Sequence, residues 1–241
     1  MEDQSVDTLE HIAEHIIVIG GWAVRAWARP PRGLMRYTID IDGVAEESKM
    51  GQVESILQEQ HLRREQAEWG LRFRKDYVPQ SQEAKGFMKT WKDPLEVRVE
   101  ISPTRMYEAD GEHFFEFEPH ETIRREIRSR GSRQPLSVKV PTSQYLMANK
   151  VGLGADYKNR YDAAILALQA DLEQVASIIV STDKWKDIVI RQLPRFLGRT
   201  RQPTDLAATL LEENGYRTSS CLKGLAQLKK LLEEGDLPQA S

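Results

Sequence analysis

The sequence lacks the features that mark several classes of protein. Its 241 residues include a single cysteine, Cys221, so an internal disulfide cannot form, which fits a reducing compartment. The longest apolar stretch, Ile16 to Val24, is interrupted by two glycines and is far too short to span a bilayer. The first four residues are Met-Glu-Asp-Gln, so a secretory signal is not expected. We therefore expect a cytoplasmic protein with no membrane partner.

The chain also lacks an excess of either charge. Its formal net charge is −3, which argues against a protein that coats nucleic acid by bulk electrostatics. Local basic clusters are present, although most clusters of this kind are solvated faces. They are Arg63-Arg64, Arg72-Phe73-Arg74-Lys75, Arg124 to Arg133, and Lys184 to Arg201. Neither a Walker phosphate loop nor a Gly-x-Ser-x-Gly nucleophile motif occurs.

The pattern of the chain changes at Pro141. Before it, short β-like runs are mixed with helices, and after it almost every segment has helical periodicity. This predicts an α+β protein with a mixed sheet in residues 1–141 and a helical domain in residues 142–241.

Alternating and helical periodicities predict the individual elements. Strands are expected at Ile16–Ile19, Tyr37–Val44, Leu71–Tyr77, Gly86–Trp91, Leu95–Ile101, and His113–Phe117 paired with Leu136–Val140. Helices are expected at Ser5–His15, Trp22–Ala28, Met50–His61, Thr142–Leu168, Asp171–Thr182, Lys184–Leu193, Pro203–Glu213 and Ser219–Glu234.

Two carboxylates stand out in the second predicted strand. Asp40 and Asp42 are two residues apart, so a strand would project both from one face while Ile39 and Ile41 face the interior. Carboxylates held this close repel each other by about 4 kcal/mol at an effective dielectric near 20. A bound Mg²⁺ would relieve this repulsion. The simpler alternative is a strand whose solvent face happens to be acidic.

A glycine pair and a later acidic strand extend this pattern. Gly20-Gly21 lies at a strand-to-helix turn, where backbone N–H groups can approach phosphates, although most such pairs are only turns. In Leu95 to Ile101 the apolar residues alternate with Glu96, Arg98 and Glu100. Glu100 is the candidate for a third metal-facing carboxylate and Glu96 is the alternative, while an ordinary exposed strand face explains both almost as well.

These motifs together resemble a known superfamily. Gly-Gly-x-Ala at Gly20, Arg-x-Thr-x-Asp-Ile-Asp from Arg36 to Asp42, and an acidic residue on a later strand are similar to nucleotidyltransferases of the DNA polymerase β type. The closer resemblance is to AbiEii-type nucleotidyltransferases, which include toxins of toxin–antitoxin systems. Pro141 to Lys150, followed by Lys158 to Asp162, resembles that family's lysine helix and the acidic stretch after it.

The resemblance implies a nucleotidyltransferase fold and a set of site residues. Asp40, Asp42 and Glu100 would bind two Mg²⁺ ions, and Gly20 and Gly21 would cradle the phosphates of an NTP. Arg36, Thr38 and Lys150 would contribute to nucleotide binding. Structural alternatives are an ion pair for Arg36, a solvated face for Lys150, and an i,i+4 pair between Lys158 and Asp162.

Two residues depart from the family pattern. The third acid is glutamate instead of aspartate, and Asn159 occupies a position that is often acidic. The expected activity is Mg²⁺-dependent transfer of an NMP from an NTP to an RNA 3′ end such as a tRNA, to a protein or to a small molecule. A toxin would also have an antitoxin partner. The alternatives are a catalytically inactive nucleotide-sensing or partner-binding protein on the same fold, and a structural domain.

Overall fold

A computed structural model describes most of the chain and divides it into two compact units. The described residues are 2–28, 38–67, 70–79, 82, 85, 95–103, 105–107, 114–116, 121–128, 134–181, 184–202 and 204–234. The sheet unit comprises Met1–Trp22, Tyr37–Thr104 and Arg124–Val140, and the helical unit comprises Ala23–Arg36, Arg105–Ile123 and Pro141–Ser241. The proposed division into domains 1–141 and 142–241 stays a prediction.

A five-stranded mixed sheet forms the centre of the sheet unit. Its strands lie in the order β1-β2-β5-β4-β3, in which β2 and β5 are parallel and every other neighbouring pair is antiparallel. The elements in chain order are α1 (Glu2–Ile12), β1 (Ile17–Val18), α2 (Gly20–Trp27), β2 (Ile41–Ala45), α3 (Glu47–Glu59), β3 (Arg63–Glu65), β4 (Leu71–Asp76) and β5 (Glu96–Pro103). Helix α2 begins in this unit and ends in the helical one.

The two faces of the sheet differ because β4 and β5 alternate apolar and charged residues. Phe73 of β4 and Val99 of β5 are opposite each other and fully buried. Helix α3 contributes Val53 and Leu57 to the core and packs against α1 and β4. In Arg72–Asp76 and Glu96–Glu100 the side chains with the other parity are charged and at least partly exposed. One face of the sheet therefore holds the core and the other carries polar chemistry.

The remaining strands in the described ranges form two separate pairs. β6 (Arg105–Tyr107) pairs with β7 (Phe114–Glu116), and β8 (Thr122–Ile127) pairs with β9 (Leu136–Pro141). The expected pairing of His113–Phe117 with Leu136–Val140 is therefore wrong. Pairing with the neighbour nearest in sequence closes a shorter loop, which costs less conformational entropy. The predicted strand Gly86–Trp91 lies outside the described residues.

Six further helices follow β9 in the described part of the chain. They are α4 (Ser143–Gly152), α5 (Tyr157–Leu166), α6 (Leu172–Ser181), α7 (Trp185–Thr200), α8 (Leu206–Glu213) and α9 (Thr218–Glu234). None of the helices in the described ranges is long and apolar enough to cross a bilayer. A mixed sheet followed by a helical region confirms the α+β prediction.

The expected helix Thr142–Leu168 is two helices. Gly152 ends α4 and Gly154 lies within the break. The Asp156 side chain caps α5 by accepting from the Asn159 N–H at 2.8 Å. Gly152 is needed here because a Cβ at this position would lie 2.3 Å from the Trp185 ring. The break therefore combines weak helix propensity, a capping residue and close packing.

Helix α7 is longer than the sequence predicts, because it continues through Pro194. The sequence favours an end at Leu193, since an internal proline costs a helix about 3 kcal/mol. The turn after the proline buries Phe196 and Leu197. Burial of two large apolar side chains offsets a penalty of this size.

The thiol of Cys221 in α9 is fully buried, and burial raises its pKa to about 11. Because the thiolate is the reactive form, we expect a thiol-specific disulfide reagent at pH 8 to label the native protein very slowly. Labelling should become rapid in denaturant, which can be followed by absorbance. Rapid stoichiometric labelling of the native protein would contradict this burial.

Candidate functional site

The strand that carries Asp42 is shorter than expected. β2 begins at Ile41, so Thr38 and Asp40 lie before the sheet pairing instead of within a continuous strand from Tyr37. The strand expected at Tyr37–Val44 is therefore Ile41–Ala45 in the structure, and the shared face of Asp40 and Asp42 stays a prediction. Arg36, a predicted nucleotide-binding residue, lies outside the described residues.

Side chains of α1 account for this late start. The Ser5 hydroxyl donates to the Ile39 carbonyl at 2.7 Å, and the Thr38 N–H donates to Glu2 Oε1 at 3.2 Å. These backbone groups are therefore satisfied by helix side chains instead of by a neighbouring strand. Glu2 and Ser5 are both buried, so the anchor is part of the core.

The sheet places Asp42 directly beside Glu100. Because β2 and β5 are parallel, their register pairs Ile41 with Val99 and Asp42 with Glu100. Partners in register project from the same face, and neighbouring strands lie about 4.8 Å apart. Two carboxylates at that spacing repel each other by roughly 3 kcal/mol at an effective dielectric of 20. We call Asp42 and Glu100 the carboxylate pair.

A positive charge already lies against this pair. Arg72 of β4 is opposite Glu100 in the antiparallel register, and its Nε is 2.9 Å from Glu100 Oε1. The two side chains are 32% and 33% exposed, so water screens the contact only in part. Asp42, Glu100 and Arg72 therefore lie side by side on three neighbouring strands. The guanidinium of Arg72 partly compensates the two negative charges.

Glu96, the alternative third carboxylate, belongs to a different set of contacts. It is opposite Asp76 and lies 3.3 Å from Arg74 Nη1 and 3.9 Å from Arg98 Nε. Arg74 also contacts Glu65 at 2.8 Å. The register thus brings Glu100, and not Glu96, next to Asp42.

Gly20 lies against the Asp42 side chain. It begins α2 with φ of +64°, and its N-terminal neighbour Ile19 donates its N–H to the Asp42 carbonyl at 2.9 Å. A Cβ at Gly20 would lie 2.0 Å from Asp42 Oδ2 and 2.9 Å from its Cβ. Glycine is needed here for both the positive φ and the close approach. The first turn of α2, which includes Gly21, consequently begins beside a carboxylate.

The described residues contain no group of three or more His, Cys, Asp or Glu side chains arranged to hold a metal. The structure therefore brings the two members of the carboxylate pair into register, but it does not gather a three-carboxylate cluster with Asp40. Two carboxylates still suit Mg²⁺, which is commonly held by one or two carboxylates together with substrate phosphates. The guanidinium of Arg72 is already a positive charge beside Glu100.

Lys150 is located in the helical unit and is buried. Its Nζ is 3.0 Å from Asp162 Oδ2, and the two side chains are 8% and 2% exposed. The amide oxygen of Asn159 lies 3.5 Å from the same Nζ. Asp162 thus pairs with Lys150, while Lys158, the i,i+4 partner suggested by the sequence, is exposed. The solvated-face alternative for Lys150 is wrong, and its role in nucleotide binding stays a prediction.

The helical unit also contains a cavity of about 460 Å³. Its polar lining comes mainly from Glu121, Thr142, Gln144, Tyr145 and Gln174. None of the seven predicted site residues that lie within the described ranges lines this cavity, so it gives no support to the predicted site.

Arg72 is the residue of the site that sequence reasoning misses. In the sequence it belongs only to a basic cluster, for which a solvated face is the usual explanation. Its signal is the alternation Leu71-Arg72-Phe73-Arg74, which puts the arginines on the polar face of a strand. Only the pairing of β4 with β5 shows that one of them meets Glu100.

Comparison with known proteins gives distant structural likenesses. No protein-family model matches the chain, and no curated protein matches its sequence significantly. The chain is similar to a crystal structure of ANT(2″)-Ia in complex with adenylyl-2″-tobramycin, at 14% identity and a TM-score of 0.45, over 73% of this chain and 94% of that one. It is also similar to a solution structure of the antibiotic-resistance factor ANT(2″)-Ia, at 14% identity and a TM-score of 0.46, over 74% and 90%. Both likenesses are too distant to assign a role to any residue here.

Proposed function

We propose that the chain is a Mg²⁺-dependent nucleotidyltransferase that moves an NMP from an NTP to an acceptor hydroxyl. The observation that carries this proposal is the position of Asp42, which lies beside Glu100 in the sheet register and against Gly20 at the start of α2. A carboxylate pair that suits a cation therefore lies beside a helix N-terminus that suits a phosphate group. This combination matches the resemblance in sequence to the polymerase β superfamily.

The residues of the site have distinct roles in this proposal. Asp42 and Glu100 hold the cation, and Asp40, which directly precedes β2, stays a predicted further ligand. The N–H groups at Gly20 and Gly21 bind phosphate oxygens. Bound Mg²⁺ supplies neutralisation of phosphate charge and lowers the pKa of the acceptor hydroxyl. The acceptor oxygen bonds to the α-phosphorus as the bond from that phosphorus to the bridging oxygen breaks. Pyrophosphate leaves with the bonding electrons, and the hydroxyl proton passes to solvent.

The acceptor and the biological setting are finer parts of the proposal. The AbiEii-like motifs favour an RNA 3′ end such as that of a tRNA, in a toxin that is controlled by an antitoxin. A protein hydroxyl and a small aminoglycoside-like molecule are the other acceptors to be tested. The second candidate function is a catalytically inactive nucleotide sensor. The observation that favours it is the buried pairing of Lys150 with Asp162, because it engages the lysine that is predicted to bind the triphosphate.

A labelling experiment tests the enzyme proposal. The protein is incubated with each α-labelled NTP, Mg²⁺ and total RNA, candidate proteins or aminoglycosides, and transferred label is measured after electrophoresis or chromatography. We expect transfer by the wild type and none by Asp40→Ala/Asp42→Ala, since the cation site is lost. Glu100→Gln should lose most of the transfer, whereas Glu96→Gln should retain it.

Asp76→Asn is the matched control, because Asp76 is an exposed carboxylate at the end of β4 that pairs with Arg63. Its transfer should equal that of the wild type. Label transfer that survives Asp40→Ala/Asp42→Ala would refute the assigned site. NTP binding without transfer to any acceptor would support the sensor function, and absence of both would refute nucleotide recognition.

A further inference from the structure

The contact between Arg72 and Glu100 raises the question of what happens to Arg72 when a cation binds. The inference about Arg72 rests on the proposed function, because Arg72 would be a positioning residue of the same site. Glu100 carries one negative charge, which cannot fully neutralise both a guanidinium 2.9 Å away and a divalent cation shared with Asp42. Arg72 and the cation are therefore competitors for one carboxylate.

We propose that Arg72 is an exchangeable counter-ion of the carboxylate pair. In the metal-free protein it neutralises Glu100 and limits the repulsion between Glu100 and Asp42. When a divalent cation binds the carboxylate pair, the guanidinium is released from Glu100 and binds the phosphates of the incoming NTP. The planar fork of arginine suits phosphate oxygens as well as it suits a carboxylate, so the exchange needs only a side-chain movement.

The neighbouring arginine on the same strand shows why the role falls to Arg72. Arg74 is two residues along β4, has the same parity and is similarly exposed, at 34%. Its carboxylates are Glu65 and Glu96, neither of which is in register with Asp42. Arg74 thus makes ordinary ion pairs on the sheet face, whereas Arg72 pairs with a member of the carboxylate pair.

The partial exposure of the contact is consistent with exchange. Each side chain of the Arg72–Glu100 pair is about one third exposed, so the guanidinium can move without leaving a buried charge behind. The buried Lys150–Asp162 pair of the helical unit has no such freedom, at 8% and 2% exposure. Of these two ion pairs, only Arg72–Glu100 can readily exchange its basic side chain for another cation.

The proposal predicts that loss of the Arg72 charge changes the affinities for Mn²⁺ and for NTP in opposite directions. Arg72→Gln removes a positive charge near the metal, so Mn²⁺ binding in the absence of nucleotide should tighten about tenfold at low ionic strength. The same substitution removes a phosphate ligand, so NTP binding in the presence of saturating Mn²⁺ should weaken several-fold. A purely structural role would shift both affinities in the same direction or leave both unchanged.

The experiment measures Mn²⁺ affinity by electron paramagnetic resonance and NTP affinity by calorimetry. Arg74→Gln is the matched control and should leave both affinities within twofold of the wild type. Arg72→Lys keeps the charge and should restore the wild-type Mn²⁺ affinity while recovering only part of the NTP affinity. If Arg72→Gln fails to fold, as judged by circular dichroism, Arg72→Lys still tests the predicted partial loss of NTP affinity.

The possible results separate this proposal from the proposed function. If the wild type binds Mn²⁺ and Asp42→Asn abolishes binding, but Arg72→Gln does not tighten it, Arg72 is not a competing counter-ion and the enzyme proposal stands. The same conclusion follows if Arg72→Lys binds both ligands as Arg72→Gln does. If the wild type binds no Mn²⁺ with or without NTP, both proposals fail.

Discussion

Lys150→Met is expected to lower the free energy of unfolding by about 3–5 kcal/mol. The reason is that Asp162, whose side chain is only 2% exposed, would lose its lysine counter-charge 3.0 Å away in the helical core. A buried carboxylate without that charge costs far more than an exposed one. The measurement is urea denaturation followed by circular dichroism.

The chain offers a control and a compensating change for this prediction. Lys158→Met removes an exposed lysine from the neighbouring helix α5 and should change stability by less than about 0.5 kcal/mol. Lys150→Met/Asp162→Leu replaces both charges by apolar groups and should recover much of the loss. A cost for Lys150→Met no larger than that for Lys158→Met would contradict the prediction.

The double variant also tests the predicted nucleotide role of Lys150. If Lys150 only stabilises the helical unit, the apolar pair should bind NTP with the affinity of the wild type. If Lys150 also contacts the triphosphate, stability should recover while NTP affinity does not. The two results separate a packing role from a binding role at one buried position.

Gly20→Ala is expected to damage both the stability and the activity of the sheet unit. The new methyl group would lie 2.0 Å from Asp42 Oδ2, and alanine would have to adopt the φ of +64°. The left-handed conformation and the overpacking together should cost about 2 kcal/mol or more. Displacement of Asp42 by even an ångström should reduce transfer on the order of a hundredfold.

Gly51→Ala is the matched control for this substitution. Gly51 lies inside helix α3, and a Cβ there would meet no atom within 4 Å. Alanine should therefore raise the stability by roughly 1 kcal/mol through helix propensity and leave transfer unchanged. Equal transfer by Gly20→Ala and the wild type would show that Asp42 tolerates the methyl group or is not needed for activity.

Local patterns predict much of this fold but not its pairings. The alternation from Leu95 to Ile101 is sufficient to put Glu100 on a polar strand face, and it is there. No local pattern could show that this strand would lie parallel to β2 in the register that sets Glu100 beside Asp42. Register depends on contacts between distant segments, and a periodicity within one segment does not encode it.

Tertiary contacts also overrule two reasonable expectations. The strand expected from Tyr37 begins only at Ile41, because side chains of α1 bind the backbone before it. The helix expected through residue 153 breaks there, and the break lets α5 place Asp162 against Lys150. The first outcome depends on residues far from the segment, and the second depends on local glycines and a cap together with the distant Trp185.

The parallel pairing of β2 with β5 has a consequence for how the protein acquires its site during synthesis. Helix α3 and strands β3 and β4 lie between Asp42 and Glu100 in the chain, and β4 must be in place to bring Arg72 to Glu100. Contacts between such distant segments pay a loop-closure cost and are expected to form late in folding. A growing chain released before β5 would have Gly20, Asp40 and Asp42 but would lack Glu100. Nascent and truncated chains of this length should therefore be inert.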